Sequence, residues 1–167
     1  SHAVSSFNSL PNAAVIYDLP EALLTSFSRL KNMSDSGFTA YTGHQIEADR
    51  HFMYFWEAPV MSAVNKDAEF THLYNGGAYS RYAAVFQEVA RFGPAFASLR
   101  SQDVAGYSLR LQNKPQHFKR GVGFGVRGEF LDAHVLPDGC LFTVEGQVIP
   151  CDNHESIGFL LGYLNSA

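Results

Sequence analysis

Phe70-Thr71-His72-Leu73-Tyr74-Asn75-Gly76-Gly77 is a short run of aromatic and β-branched residues ending on Asn-Gly-Gly. It reads as a buried strand delivered into a glycine turn. Beyond it, Tyr82, Val85, Phe86, Val89 and Ala90 recur at helical spacing between Tyr79 and Phe92, and Gly93-Pro94 stops the pattern. A strand, a glycine turn and a helix in that order form a common binding-loop arrangement. This stretch therefore decides both the fold class and the candidate site.

Upstream, Ala13 to Tyr17 reads as a short strand, and Leu19-Pro20-Glu21 opens a helix with apolar residues at Leu23, Leu24, Phe27 and Leu30. Turn formers fill Asn32 to Gly37. Phe38 to Ile46 and His51 to Glu57 predict a hairpin around Glu47-Ala48-Asp49-Arg50. Downstream, Tyr107 to Leu111 and Val122 to Val126 predict strands, and Leu141 to Pro150 a hairpin around Glu145-Gly146. Ser156 to Leu164 predicts a short helix. The alternation predicts an α/β fold with mixed sheet pairing, and the absence of repeats or linkers predicts one domain over residues 1–167.

At 46% hydrophobic and 14% aromatic residues, the 167-residue chain carries too much apolar surface to be disordered. No stretch approaches about 18 uninterrupted apolar residues, so no membrane-spanning segment is expected. Ser1 to Leu10 has neither the basic nor the apolar region of a targeting peptide, and none is expected there. A net charge of −4 argues against a nucleic-acid partner. The one basic stretch, Arg110, Lys114, Lys119, Arg120 and Arg127, is expected to be a solvated loop. Only 17% of residues are charged, against about 25% in ordinary soluble domains. That shortfall suggests a surface partly covered by other protein.

Few residues point to chemistry. Cys140 and Cys151 would stand opposite each other if Glu145-Gly146 is a two-residue turn, which leaves either a disulfide or two packed thiols. His134, Cys140, Cys151 and His154 have zinc-ligand composition without the close pairs such sites use, so no metal is expected. His44, His51 and His72 lie in apolar strand candidates and are expected to be structural. Gly121-Val122-Gly123-Phe124-Gly125 lacks the lysine and following helix of a phosphate loop, and no cofactor is expected. Phe52 to Trp56 and Tyr79 to Phe86 have the spacing of core packing rather than of a ligand cage. Asn32-Met33-Ser34 is an N-glycosylation sequon in a loop.

Four segments in order resemble the N-terminal half of the serine carboxypeptidase family. They are Ser9-Leu10-Pro11; Phe38 to Ala58, with Tyr41-Thr42-Gly43 leading into His51-Phe52-Met53-Tyr54-Phe55-Trp56-Glu57-Ala58; Leu73-Tyr74-Asn75-Gly76-Gly77, with Arg91-Phe92-Gly93-Pro94 beyond; and Gly121-Val122-Gly123-Phe124. The resemblance implies a partial α/β-hydrolase-like mixed sheet with flanking helices. It also implies a substrate-carboxylate and oxyanion site at Asn75, Gly76 and Gly77, where an amide and a glycine N–H meet developing negative charge. The chain departs from the family after the turn, where Ala78-Tyr79-Ser80-Arg81-Tyr82 replaces Pro-Gly-Cys-Ser-Ser. It also contains no Gly-x-Ser-x-Gly nucleophile elbow, and neither Ser80 nor Ser108 has comparable context.

The resulting expectation is a non-catalytic accessory or structural subunit, held by other protein subunits in a larger assembly. The alternative is the N-terminal piece of an active serine carboxypeptidase that cleaves C-terminal residues from peptide substrates, with a separate chain supplying the nucleophile. A third reading is a module binding small anions at Asn75. The resemblance places the protein in an organellar assembly, for example mitochondrial, or in a secretory or vacuolar compartment.

Overall fold

The structure, a computed structural model, describes residues 8, 10, 20–45, 52–54, 70–76, 81–84, 86–91, 112–128 and 130–166. The chain divides into two compact units, Ser1–Phe38 and Thr39–Ala167. Ala13 to Tyr17 and Tyr107 to Leu111, both expected as strands, lie outside the described residues.

The first unit holds helix α1, Glu21–Arg29, which starts immediately after Pro20 as the proline signal predicts. Leu24 is buried with Leu10. The chain then turns over residues 33–37, where Asn32 Oδ1 accepts the Asp35 N–H at 2.7 Å.

Among the described residues the second unit contains two small sheets, one α-helix and a short 3-10 turn at Lys114–Gln116, so the described chain as a whole is mixed α/β with two sheets and two α-helices. The first sheet is formed by β1 (Phe52–Tyr54), β2 (Phe70–Tyr74), β3 (Glu88–Arg91) and β6 (Leu141–Phe142), in the order β1-β3-β2-β6. Its pairings are antiparallel except β2 with β6, where Leu73 faces Leu141 and Tyr74 faces Phe142 in parallel. The second sheet has the order β5-β4-β7, with β4 (Gly121–Gly125) central and β5 (His134–Leu136) and β7 (Gly146–Pro150) antiparallel to it.

Three local expectations are overturned. The helix predicted across Tyr79 to Phe92 is replaced at its C-terminal half by β3, which is paired on both sides. Val89 and Ala90 are fully buried, and consecutive apolar residues fit a strand covered on both faces as well as they fit a helix. Tyr82, at φ 71, has left-handed backbone that no helix accommodates. The predicted hairpin of Phe38 to Glu57 also does not form among the described residues. β1 pairs with β3, while Tyr41 bridges Val148 and His44 bridges Thr143. Finally, Leu141 to Pro150 is a corner rather than a hairpin: β6 joins β2, β7 joins β4, and the turn between them carries the chain from one sheet to the other.

The core lies between the sheets, where Tyr74 and Phe142 of the first pack against Leu136 and Val148 of the second, with Cys140 beside them. Alternation along β5 shows this division, since His134 and Leu136 face inward and Val135 outward. Helix α2, His154–Leu164, matches its sequence signal. Asn153 caps it by accepting the Glu155 N–H at 2.8 Å, and Ile157 and Leu160 are buried. At its other end buried Asn165 brackets Ala133, accepting its N–H at 3.0 Å and donating to its carbonyl at 2.8 Å. The side-chain amide thereby does what a neighbouring strand would do and fixes α2 to the start of β5.

Tyr74 fits between the sheets because glycines stand where its ring and the following turn need room. A Cβ on Gly146 would lie 2.6 Å from Tyr74 Cε1 and 2.8 Å from Gly76 N, and one on Gly76 would run into the Glu145 carbonyl. Gly76 also has φ +73, which side chains rarely adopt. Gly76→Ala is therefore expected to destabilise the protein by more than about 2 kcal/mol, since strain and a backbone clash combine. Gly139→Ala, at φ +84 in open space, carries the strain alone and is expected to cost about 1 kcal/mol; urea denaturation of the two variants measures the difference.

Candidate functional site

Asn75 follows β2 and its side chain points into a polar chain rather than outward. Its Oδ1 accepts the Thr143 hydroxyl at 2.8 Å, and Thr143 Oγ1 in turn accepts the Glu145 N–H at 3.2 Å. The Asn75 side-chain amide also faces the Glu88 carboxyl. The arrangement follows from the sheet register, because Glu88 is paired with Leu73 and Thr143 donates its backbone N–H to the Tyr74 carbonyl at 3.0 Å. β3 and the β6–β7 corner thus flank β2, and the corner holds the oxygen of the amide.

Burial raises the Glu88 carboxyl above its ordinary value, and the hydrogen bond from Asn75 opposes this in part. Glu88 Oε2 is buried and takes no hydrogen bond among the described residues. A carboxyl in this state is less costly to fold when protonated. The amide that the resemblance assigns to a substrate carboxylate is thus already engaged with a carboxylate of the chain itself. Gly76 packs against the Glu145-Gly146 turn, and Gly77 lies outside the described residues.

The remaining candidates occupy separate places. His134 donates from Nδ1 to the Asp132 carbonyl at 2.9 Å and meets the Tyr74 ring edge-on at 5.0 Å. Burial lowers its pKa, against a smaller opposing influence of Asp132. His72 is likewise lowered by burial, and His51 lies outside the described residues. Cys140 sits in the core, where burial first and the Asp138 charge second push its thiol up to about 12; it is a packing residue, not a nucleophile.

Cys140 and Cys151 are both free thiols. The disulfide expectation depended on a hairpin register, and the corner geometry removes it. Cys151 sits before α2, with Sγ 3.7 Å from the Asn153 carbonyl, and His154 Nε2 contacts Arg120 at 3.2 Å. No group of three metal-ligating side chains comes together among the described residues. Gly121 to Gly125 forms the central strand β4, its glycines allowing close sheet packing. Two members of the basic stretch are paired, Arg120 with Asp138 at 3.2 Å and Arg127 with Glu145 at 2.9 Å. No described helix is long and apolar enough to cross a membrane.

No family model matches this chain, and no curated protein matches it significantly.

Sequence reasoning singled out Asn75 but missed its partners Glu88 and Thr143. Neither belongs to a local motif; they reach Asn75 only through strand pairing. Asn75→Ala leaves Thr143 and Glu88 without their shared partner and is expected to cost about 1–3 kcal/mol. Glu88→Gln is expected to raise the melting temperature at neutral pH. Because Glu88 titrates above its ordinary 4.5 when folded, its favourable contribution is present below that value and is lost as pH rises through the folded pKa. The gain should therefore vanish below pH 4.5, which thermal melts of both proteins across pH measure.

Proposed function

We propose that the protein is a non-catalytic accessory or structural subunit, derived from a serine carboxypeptidase-like domain and held in a larger protein assembly. The observation that carries this reading is the engagement of Asn75. Its side-chain oxygen is taken by Thr143 and its amide faces the chain's own Glu88, which leaves the turn in the state of a structural corner rather than an open anion site. The derivation from a carboxypeptidase-like domain rests on the ordered sequence motifs.

Association is supported by the exposed apolar side chains. On α1, Leu23 and Phe27 lie at positions i and i+4 and are both exposed, and Leu30, just past the helix end, is exposed at 72%. The first two share one helical face. On α2, Phe159 and Tyr163 stack with ring centroids 6.0 Å apart while both remain more than half exposed. Covering a side chain of this size is worth about 1.5–3 kcal/mol. Several together supply a strong drive toward a protein partner.

The test is non-denaturing purification from the native source, with light scattering after size exclusion and identification of co-purifying chains. The expected result is a stable species of several different chains that no fluorophosphonate probe labels. A monomer of this chain alone overturns the assembly reading, and labelling of a tightly bound partner supports the carboxypeptidase alternative instead.

A further inference from the structure

Asparagine followed by glycine is the pair in which a side-chain amide converts itself most readily to an acid, because no side chain stands between the glycine nitrogen and the amide carbon it attacks. Of the chain's eight asparagines, Asn75 alone precedes glycine. The structure fixes both reacting groups of that pair. The electrophile is Asn75 Cγ, whose oxygen Oδ1 accepts the Thr143 hydroxyl at 2.8 Å. Thr143 is itself held, since its Oγ1 accepts the Glu145 N–H at 3.2 Å and its backbone N–H donates to the Tyr74 carbonyl at 3.0 Å. The nucleophile is the Gly76 nitrogen. It lies so close to the corner that a Cβ on Gly146 would stand 2.8 Å from it.

The reaction needs both groups to move. The Gly76 nitrogen gives its proton to water or hydroxide and bonds to Asn75 Cγ. The Cγ–Nδ2 bond then breaks, and Nδ2 leaves as ammonia with a proton taken from water. A second water opens the cyclic imide at either carbonyl, which yields an aspartyl or an isoaspartyl residue at position 75. Water is the only co-reactant. In the closed corner Gly146 stands beside the nitrogen that must meet the base, and Thr143 holds the oxygen of the amide that must turn toward it.

The product does not fit where the reactant did. An aspartyl side chain at position 75 sets a carboxylate against Glu88 in place of an amide, and two carboxylates sharing one site oppose each other's ionisation. An isoaspartyl linkage adds a methylene to the backbone directly before Gly76. At Gly76 even a Cβ would run into the Glu145 carbonyl, so the lengthened chain has no room to seat as before.

We propose that Asn75-Gly76 is a gated self-modification site: the closed β6–β7 corner holds it unreactive, and opening of the corner lets it convert irreversibly to an acid that no longer closes the corner. This is a property of the turn's geometry and holds whether or not the chain has partners.

The test incubates the full chain at mildly alkaline pH, folded and in urea, and follows position 75 by peptide mass spectrometry, with fragmentation distinguishing isoaspartyl from aspartyl. Conversion is expected to be at least about tenfold slower in the folded protein. Thr143→Val, similar in shape but without the hydroxyl, is expected to raise the folded rate by about three- to tenfold, as loss of one ordinary hydrogen bond allows. Thr143→Ser, which keeps the hydroxyl, is expected to retain the wild-type rate. Ile157→Val weakens the buried face of α2 away from the turn and is expected to leave the rate unchanged.

Equal rates in folded and unfolded wild-type protein overturn the gate. So does a Thr143→Val rate at or below that of wild type. Equal acceleration by Ile157→Val and Thr143→Val also overturns it, because global unfolding would then be the gate. The converted wild-type fraction, separated by its added negative charge, supplies a readout that needs no variant to fold. It is expected to melt below the unconverted fraction, and an identical melting temperature overturns the claim that the corner no longer closes.

Discussion

The close approach of Tyr74 to the β6–β7 corner is the constraint on which the rest of the second unit depends. Tyr74 is fully buried and meets Phe86 and His134 edge-on, with centroids at 5.9 and 5.0 Å. It is also the last residue of β2, so the position of its ring fixes where the following turn lies. Filling Gly146 would displace the ring, and filling Gly76 would displace the corner. Burial of Tyr74, Phe142, Leu136 and Val148 is worth about 1.5–3 kcal/mol apiece, whereas the exposed pair of Arg127 with Glu145 is worth at most about 1 kcal/mol. The two sheets are held by this packing, and the surface charges only decorate it.

The same packing determines the chemistry of the turn. Bringing the corner against β2 delivers Thr143 to Asn75, and the antiparallel pairing of β2 with β3 delivers Glu88. A half-buried amide placed there needs partners, and an uncompensated polar group would cost more than the two hydrogen bonds return. Stability at this position and availability to an outside carboxylate therefore compete. In this chain the competition is resolved toward stability, and the proposed non-catalytic role builds on that.

Elements with local signals were legible in the sequence. Pro20 marked the start of α1, the signal from Ser156 to Leu164 marked α2, the turn formers from Asn32 to Gly37 marked a turn, and the runs Phe70 to Tyr74 and Val122 to Val126 marked strands. Pairing was not legible, because partners far apart in the chain carry no mutual signal. Leu73 lies parallel to Leu141, and Tyr41 reaches Val148, with nothing at either position to announce it. Val89 and Ala90 misled for a further reason: residues buried on both faces of a strand lose the alternation that distinguishes it from a helix. Asn75 was recognisable as a turn residue, while its engagement depended wholly on those unreadable pairings.

The most direct measurement follows the Asn75 side-chain amide by NMR during titration with a peptide bearing a free C-terminal carboxylate. An amide held between Thr143 and Glu88 should exchange slowly with solvent and should keep its resonance position throughout. Rapid exchange in the free protein, together with a saturable shift on adding peptide that Asn75→Ala abolishes, would contradict the account and restore the turn as a ligand site.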